Sequence, residues 1–165
     1  MRNRDEEIKT KEIRGKKLEI RLGRESDIHD WMILIDQVKA SFPGLETEEA
    51  MEEHKETVLN FIRNQSAICA IKENKIVGTL LFSKKNHMLC FLAVDAEYRR
   101  QHIAEKMVSY MLTFMDPEED IVVTTYREGV PEGIAARAFY KRLGFTEGKL
   151  TEEFGSPVQE FVFKR

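Results

Sequence analysis

Two spacings of apolar residues alternate along the chain. Residues 17–22, Lys-Leu-Glu-Ile-Arg-Leu, place an apolar side chain at every second position, the period of a half-buried strand that Gly23 ends. From Ile28 the spacing widens. Ile28, Trp31, Met32, Ile35 and Val38 share one side of a helix, with Ser26 or Asp27 to cap it and Phe42-Pro43-Gly44 to break it. A second helix is predicted over residues 47–63, with Met51, Val58, Phe61 and Ile62 as its buried stripe. Residues 66–71 and 76–82 then read as strands joined by the short polar link 72–75, a hairpin. After a polar turn over 83–86, residues 87–94 return as a third strand, completing an antiparallel meander.

The helical period reappears at Ile103, Met107, Met111 and Met115, with Val108 and Leu112 alongside, until Asp116-Pro117 stops it. Residues 121–126, rich in Val and Thr, read as a buried strand. Because a helix separates it from strand 87–94, the two are expected to be parallel neighbours through a right-handed crossover. A last helix over 133–143 ends at Gly144, the expected left-handed residue past its C-terminus, with Phe145 as hydrophobic anchor. Residues 145–151 and 158–164 close the sheet as a hairpin. The class is α+β, a mixed and mostly antiparallel sheet flanked by about four helices, with a parallel pair of central strands.

Composition narrows the picture. The 165 residues, 42% hydrophobic, suit one domain with a real core. Residues 1–16 are polar and charged, with Ile8 and Ile13 as their only aliphatic branched residues, and read as a flexible N-terminal extension; 17–165 read as a single domain. A net charge of -3 argues against nucleic acid as the main partner. No apolar run reaches the roughly 18 residues of a membrane span, and no secretory h-region is visible, so a soluble cytoplasmic protein is the default expectation. Cys69 and Cys90 sit in apolar runs and read as small core residues of a reduced compartment, with a disulfide between them left open. No cluster has metal-ligand spacing, so no metal is expected.

Chemistry concentrates at Arg99-Arg100-Gln101-His102-Ile103-Ala104. A strand, a basic turn and a helix start follow one another there. Unpaired N–H groups and the positive end of the helix dipole favour an anion, and two guanidinium groups suit phosphate oxygens. The segment reads as a pyrophosphate-binding turn. Solvated surface charge is the plainer account of the arginine pair. A nucleotide triphosphatase is disfavoured because Gly-x-x-x-x-Gly-Lys-Ser/Thr does not occur in the chain.

Two stretches together resemble the GNAT superfamily of acyl-coenzyme A-dependent N-acetyltransferases. Residues 92–104, Leu-Ala-Val-Asp-Ala-Glu-Tyr-Arg-Arg-Gln-His-Ile-Ala, resemble the family's strand and loop with its Arg/Gln-x-x-Gly-x-Gly/Ala core. Residues 135–145, Ala-Ala-Arg-Ala-Phe-Tyr-Lys-Arg-Leu-Gly-Phe, resemble its late helix, Ala-x-x-Phe/Leu-Tyr-x-x-x-Gly-Phe. Element order agrees from about Lys17 onward. Two positions depart. The loop glycine is His102, a residue type tolerant of positive φ, and the asparagine frequent before the late helix is Gly133.

The resemblance implies acetyl transfer from acetyl-coenzyme A, as co-substrate, to a primary amine by direct attack in a ternary complex. The alternative is a non-catalytic acyl-coenzyme A binding or sensing module. The implied cofactor-binding residues are Leu92, Ala93, Val94, Arg99, Arg100, Gln101, His102, Ile103, Ala104, Ala136, Phe139 and Tyr140. A backbone N–H near Leu92 would polarise the acetyl carbonyl. Tyr140 is the implied catalytic acid, able to donate to the departing sulfur; a structural tyrosine is the plainer account. The general base is open among His54, His87, Glu128 and Glu132, with water as an alternative. Glu46, Glu48, Glu49, Glu52, Glu53 and Glu56 make either a solvated face or a rim steering a cationic amine. Phe42, Trp31 and Tyr126 fit an acceptor pocket or the core equally. The acceptor, a small molecule or a protein amine, is not legible, and a homodimer is the assembly the family suggests.

Overall fold

The computed structural model describes Arg4 and residues 17–165; the extension expected over 1–16 otherwise lies outside the described residues. Seven strands, β1 (Glu19–Leu22), β2 (Ala67–Lys72), β3 (Lys75–Ser83), β4 (Met88–Val94), β5 (Ile121–Tyr126), β6 (Thr146–Glu153) and β7 (Ser156–Phe163), form one sheet in the order β1-β2-β3-β4-β5-β7-β6. Among the described strands only β4 and β5 run parallel. Among residues 17–165 four helices flank the sheet: α1 (Ile28–Val38), α2 (Glu48–Arg63), α3 (Ile103–Leu112) and α4 (Ile134–Leu143). The α+β class and the parallel central pair are as the sequence predicts.

Each face carries its own core. Ile103, Met107 and Met111 of α3 and Tyr140 of α4 pack on Ile68, Leu80, Phe82, Ile121 and Phe161. On the other face Trp31, Leu34 and Ile35 of α1 join Val58 and Ile62 of α2 over Cys69, Leu81 and Ala93. Strand β3 is buried from Ile76 to Phe82, covered on both sides, which explains its unbroken apolar run. Gly78 lets α3 come down onto it, since a Cβ there would stand 2.8 Å from Met107 Cε. The β2–β3 turn, Glu73-Asn74, has positive φ at both residues (54° and 62°), the mark of the type I′ turn whose twist matches the strands.

Three local expectations are corrected. Helix α3 ends at Leu112 rather than Met115. The amides of Thr113, Phe114 and Met115 bond three residues back, to Tyr110, Met111 and Leu112, because Pro117 keeps Asp116 out of helical geometry and the last turn tightens. Neither Ser26 nor Asp27 caps α1 with its side chain. The Asp27 carboxylate is engaged by Arg21 Nη1 and Nη2 at 2.7 and 2.9 Å and by the Arg24 amide at 2.7 Å. Cys69 is buried, but Cys90 is exposed and both thiols are free. A register shift beside Cys90 leaves it out of the β3–β4 pairing and turns it away from both cores.

Candidate functional site

Strands β4 and β5 touch at one end only. The Val122 amide donates to the His87 carbonyl at 2.9 Å, and Met88 opposite Val122 is their single paired position. Beyond it the strands separate, leaving a gap flanked by the later residues of β4 and β5. The orientation of the β4 amides follows from register. Asp95 N–H donates to the Val77 carbonyl at 2.8 Å, and Ala93 pairs with Thr79 and Phe91 with Leu81 in the same frame. Antiparallel bonding alternates, so the N–H groups of Leu92 and Val94 point the other way, into the gap. Their side chains pack on the α3/α4 core, whereas Ala93 is turned to the α1/α2 core.

The turn between β4 and α3 lies at the same end. The amides of Arg99 to Glu105 have no acceptor among the described residues; Lys106 is the first to bond back, to the His102 carbonyl at 3.0 Å. Arg100 and His102 are left-handed, at φ 63° and 60°, on either side of Gln101. Left-handed residues set into a turn swing successive N–H groups to one side, the geometry of an anion nest, and α3 adds the positive end of its dipole. Arg99, Arg100, Gln101 and His102 are exposed, Ala104 half-buried, and Ile103 anchors the turn in the core. His102 Nδ1 lies 3.1 Å from Glu105 Oε2, which draws the imidazole along the first helical turn. Since a side chain at left-handed φ costs about 1–2 kcal/mol and glycine none, His102→Gly is expected to leave thermal stability unchanged or raise it slightly. His102→Val is expected to lower it by about 1–2 kcal/mol. Thermal unfolding of the two variants checks this.

The β2–β3 hairpin braces this turn. Lys72 Nζ donates to Gln101 Oε1 at 2.7 Å, and the Tyr98 hydroxyl to Glu73 Oε2 at 2.7 Å. Lys75 stands over the Tyr98 ring, 4.9 Å from its centroid. A cleft of about 380 Å³ bounded by Val38, Lys75, Asp95 and Arg99 abuts the turn. A larger one, about 620 Å³, lies off Arg21, Arg24, Ile62 and Tyr110, at the far end of α3 from the turn.

Helix α4 brings the second motif to the same face. Gly144 is left-handed (φ 102°), and Phe145 N–H donates to the Tyr140 carbonyl at 3.0 Å, a Schellman closure that fixes the backbone at Tyr140. Arg137, buried, ties the helix to the sheet through the Tyr126 carbonyl (2.9 Å), Gln159 Oε1 (2.7 Å) and Glu147 Oε1 (2.7 Å). At Gly133 a Cβ would collide with that of Tyr126, so nothing larger fits before α4. The Tyr140 ring is 6% exposed and packs against Phe139, Phe145 and Phe161. Burial alone pushes its phenol well above the ordinary tyrosine range, so it stays protonated. Leu92, Val94, Ile103, Ala136, Phe139 and Tyr140 thus share one core, with the arginines at its rim.

The other face of the gap is open. Phe91 packs at a tilt against Phe42 (4.5 Å between centroids) and His54 (4.9 Å). Burial holds His54 below the usual imidazole range, and its Nε2 has no partner among the described residues. Trp31 is fully buried and belongs to the core. His87 sits at the closed end of the gap, Glu128 is exposed on the loop after β5, and Glu132 lies close enough to Tyr126 for its charge, after burial, to raise that phenol. The six glutamates of 46–56 are all exposed. Glu153, which no sequence motif marks, lies on this face, its Oε2 accepting from Thr124 Oγ1 at 2.7 Å; only the side-chain contact reveals it. Among the described residues no group of three or more His, Cys, Asp or Glu gathers as a metal would require, and no helix is long and apolar enough to cross a membrane.

The model of the acetyltransferase (GNAT) family matches residues 31–145. Among solved structures, PaiA N-acetyltransferase from Thermoplasma acidophilum, in complex with coenzyme A, is 19% identical, with 87% of this chain and 98% of that one covered, at a TM-score of 0.66. A GNAT-family acetyltransferase from Bacillus cereus is 18% identical over 90% and 98%, at 0.69. RimL, a ribosomal alpha-N-protein acetyltransferase in complex with coenzyme A, is 18% identical over 89% and 93%, at 0.65. At these identities the likeness shows the fold. No curated protein matches.

Proposed function

The chain belongs to the acetyltransferase (GNAT) family, and on that premise we propose that residues 17–165 form a single acyltransferase domain that moves an acetyl group from acetyl-coenzyme A to a primary amine in a ternary complex. The observation that carries this reading is the run of unpartnered amides from Arg99 to Glu105 at the mouth of the β4–β5 gap. A diphosphate satisfies those amides, with Arg99 and Arg100 adding charge-assisted contacts at the rim. The β4–β5 gap opens beside them, past the single Met88–Val122 pairing. An extended pantetheine arm fits there against Leu92 and Val94, with Ala136 and Phe139 flanking from α4; Ala93, whose N–H and C=O face β3, fixes the strand that presents them.

Acetyl-coenzyme A, once bound, supplies an activated thioester. The protein supplies orientation and charge. The Leu92 N–H, directed into the gap and free of β3, donates to the carbonyl oxygen as negative charge grows on it. Tyr140, kept protonated by burial, donates a hydrogen bond to the departing sulfur and passes its proton as the C–S bond breaks. Tyr140 regains that proton from solvent, so the transfer balances. The amine releases its proton to water at the open face.

A thiol-release screen of primary amines with acetyl-coenzyme A, beside calorimetry for coenzyme A, tests the proposal. Saturable release with at least one amine class and coenzyme A binding are expected. Binding without release from any amine would favour the sensing module, and absence of binding would end both readings.

A further inference from the structure

The carboxylate of Glu153 occupies an unusual place. Glu153 is the last residue of β6, and β7 lies between β6 and β5, yet its Oε2 meets Thr124 Oγ1 of β5 at 2.7 Å. The exposed end of the β6–β7 hairpin thus brings the carboxylate to β5, on the open face of the sheet. Thr124 points to that face because its neighbour Val123 is in the α3/α4 core. Counting from the Met88–Val122 pairing, Thr124 is level with Cys90 and Tyr126 with Leu92. Glu153 thus stands two residues, about 6–7 Å along the strand, from the level of the amide that points into the gap. Its charge also reaches β4: after burial, it is what pushes the Cys90 thiol above its ordinary range. The carboxylate is thus bonded to the β5 wall of the gap. Among the described residues it makes no ion pair, and only Oε2 has a donor. Glu160, beside Thr124 in the β5–β7 register, adds negative charge to the same face, and the Phe42–Phe91–His54 group gives it an apolar border.

Resting on the acetyltransferase reading, we propose that Glu153 determines the acceptor class: its free oxygen binds the acceptor's ammonium as an ion pair at the open mouth of the gap, with Thr124 holding the carboxylate in place, so that cationic amines are selected over neutral nucleophiles. A carboxylate fixed by a hydrogen bond, with Glu160 adding negative charge on the same face, offers a cation a more defined anchor than a mobile glutamate does.

Wild type, Glu153→Gln, Glu153→Asp and Thr124→Val are compared by calorimetry for coenzyme A, by calorimetry for benzylamine, 1,5-diaminopentane and lysinamide on the coenzyme A-loaded proteins, and by kinetics with those cations and with aniline, which is neutral at pH 7. Glu153→Gln is expected to weaken binding and raise KM for the cations at least tenfold, with kcat within threefold and coenzyme A affinity unchanged. Glu153→Asp should recover part of the loss, Thr124→Val should raise KM a few-fold, and kcat/KM for aniline should not move. The proposal is overturned if cations and aniline suffer equally, if KM for the cations is unaffected, or if coenzyme A-loaded wild type binds none of the cations. Wild type that fails to bind coenzyme A would instead remove the acetyltransferase reading on which the proposal stands.

Discussion

Tyr140→Phe is expected to reduce kcat about 100- to 1000-fold while leaving coenzyme A affinity within about twofold. The magnitude is that of a lost proton donor at a leaving group. The selectivity for kcat follows from the packing. Phenylalanine keeps the ring that meets Phe139, Phe145 and Phe161, and α4 stays anchored by the Schellman closure and by Arg137, none of which involves the hydroxyl. No described residue accepts a hydrogen bond from that hydroxyl, so removing it orphans nothing and stability should hold. Steady-state kinetics with a saturating amine, alongside calorimetry and a thermal melt, separate the outcomes. An undiminished kcat would place the proton donor elsewhere; a kcat loss matched by lower melting would make Tyr140 a structural residue.

The two motifs were legible because each rests on local chemistry. His102 at φ 60° is a clear case. A strand, two arginines and an apolar helix start require a sharp turn, and histidine is one of the few side chains that accepts left-handed geometry. Gly144 is the same argument at the other end of a helix. The gap between β4 and β5 was not legible, because it depends on non-local packing. Residues 88–94 and 121–126 read equally well as fully paired parallel strands, and nothing in their order marks Met88–Val122 as the last contact. Cys90 was misplaced for a related reason. An apolar run has no period to interrupt, so a bulge within it leaves no trace. Glu153 is the extreme case. In sequence it is one of many glutamates, and its position emerges only when the β6–β7 hairpin is folded against β5 and the carboxylate meets Thr124.

Replacing both Arg99 and Arg100 by Glu is expected to weaken coenzyme A binding roughly 30- to 150-fold at low salt, the equivalent of about 2–3 kcal/mol. Replacing both by Ala should cost less than tenfold. The contrast follows from where the binding groups sit. If the diphosphate is held mainly by the amides of Arg99 to Glu105, neutral truncation removes an exposed and screened contribution while the nest remains. Charge reversal sets two carboxylates beside the phosphates and opposes the nest and the α3 dipole together. Both arginines are exposed, so neither change should lower the thermal midpoint. Salt supplies an internal control. Wild-type affinity should fall as ionic strength rises through a few hundred millimolar, whereas the double-Glu variant, with repulsion screened, should change less or improve. Equal losses for the Ala and Glu pairs would mean that the side chains, not the backbone, form the site. No loss for the Glu pair would place the diphosphate away from this turn, and with it the expected position of the thioester beside Leu92 and Tyr140.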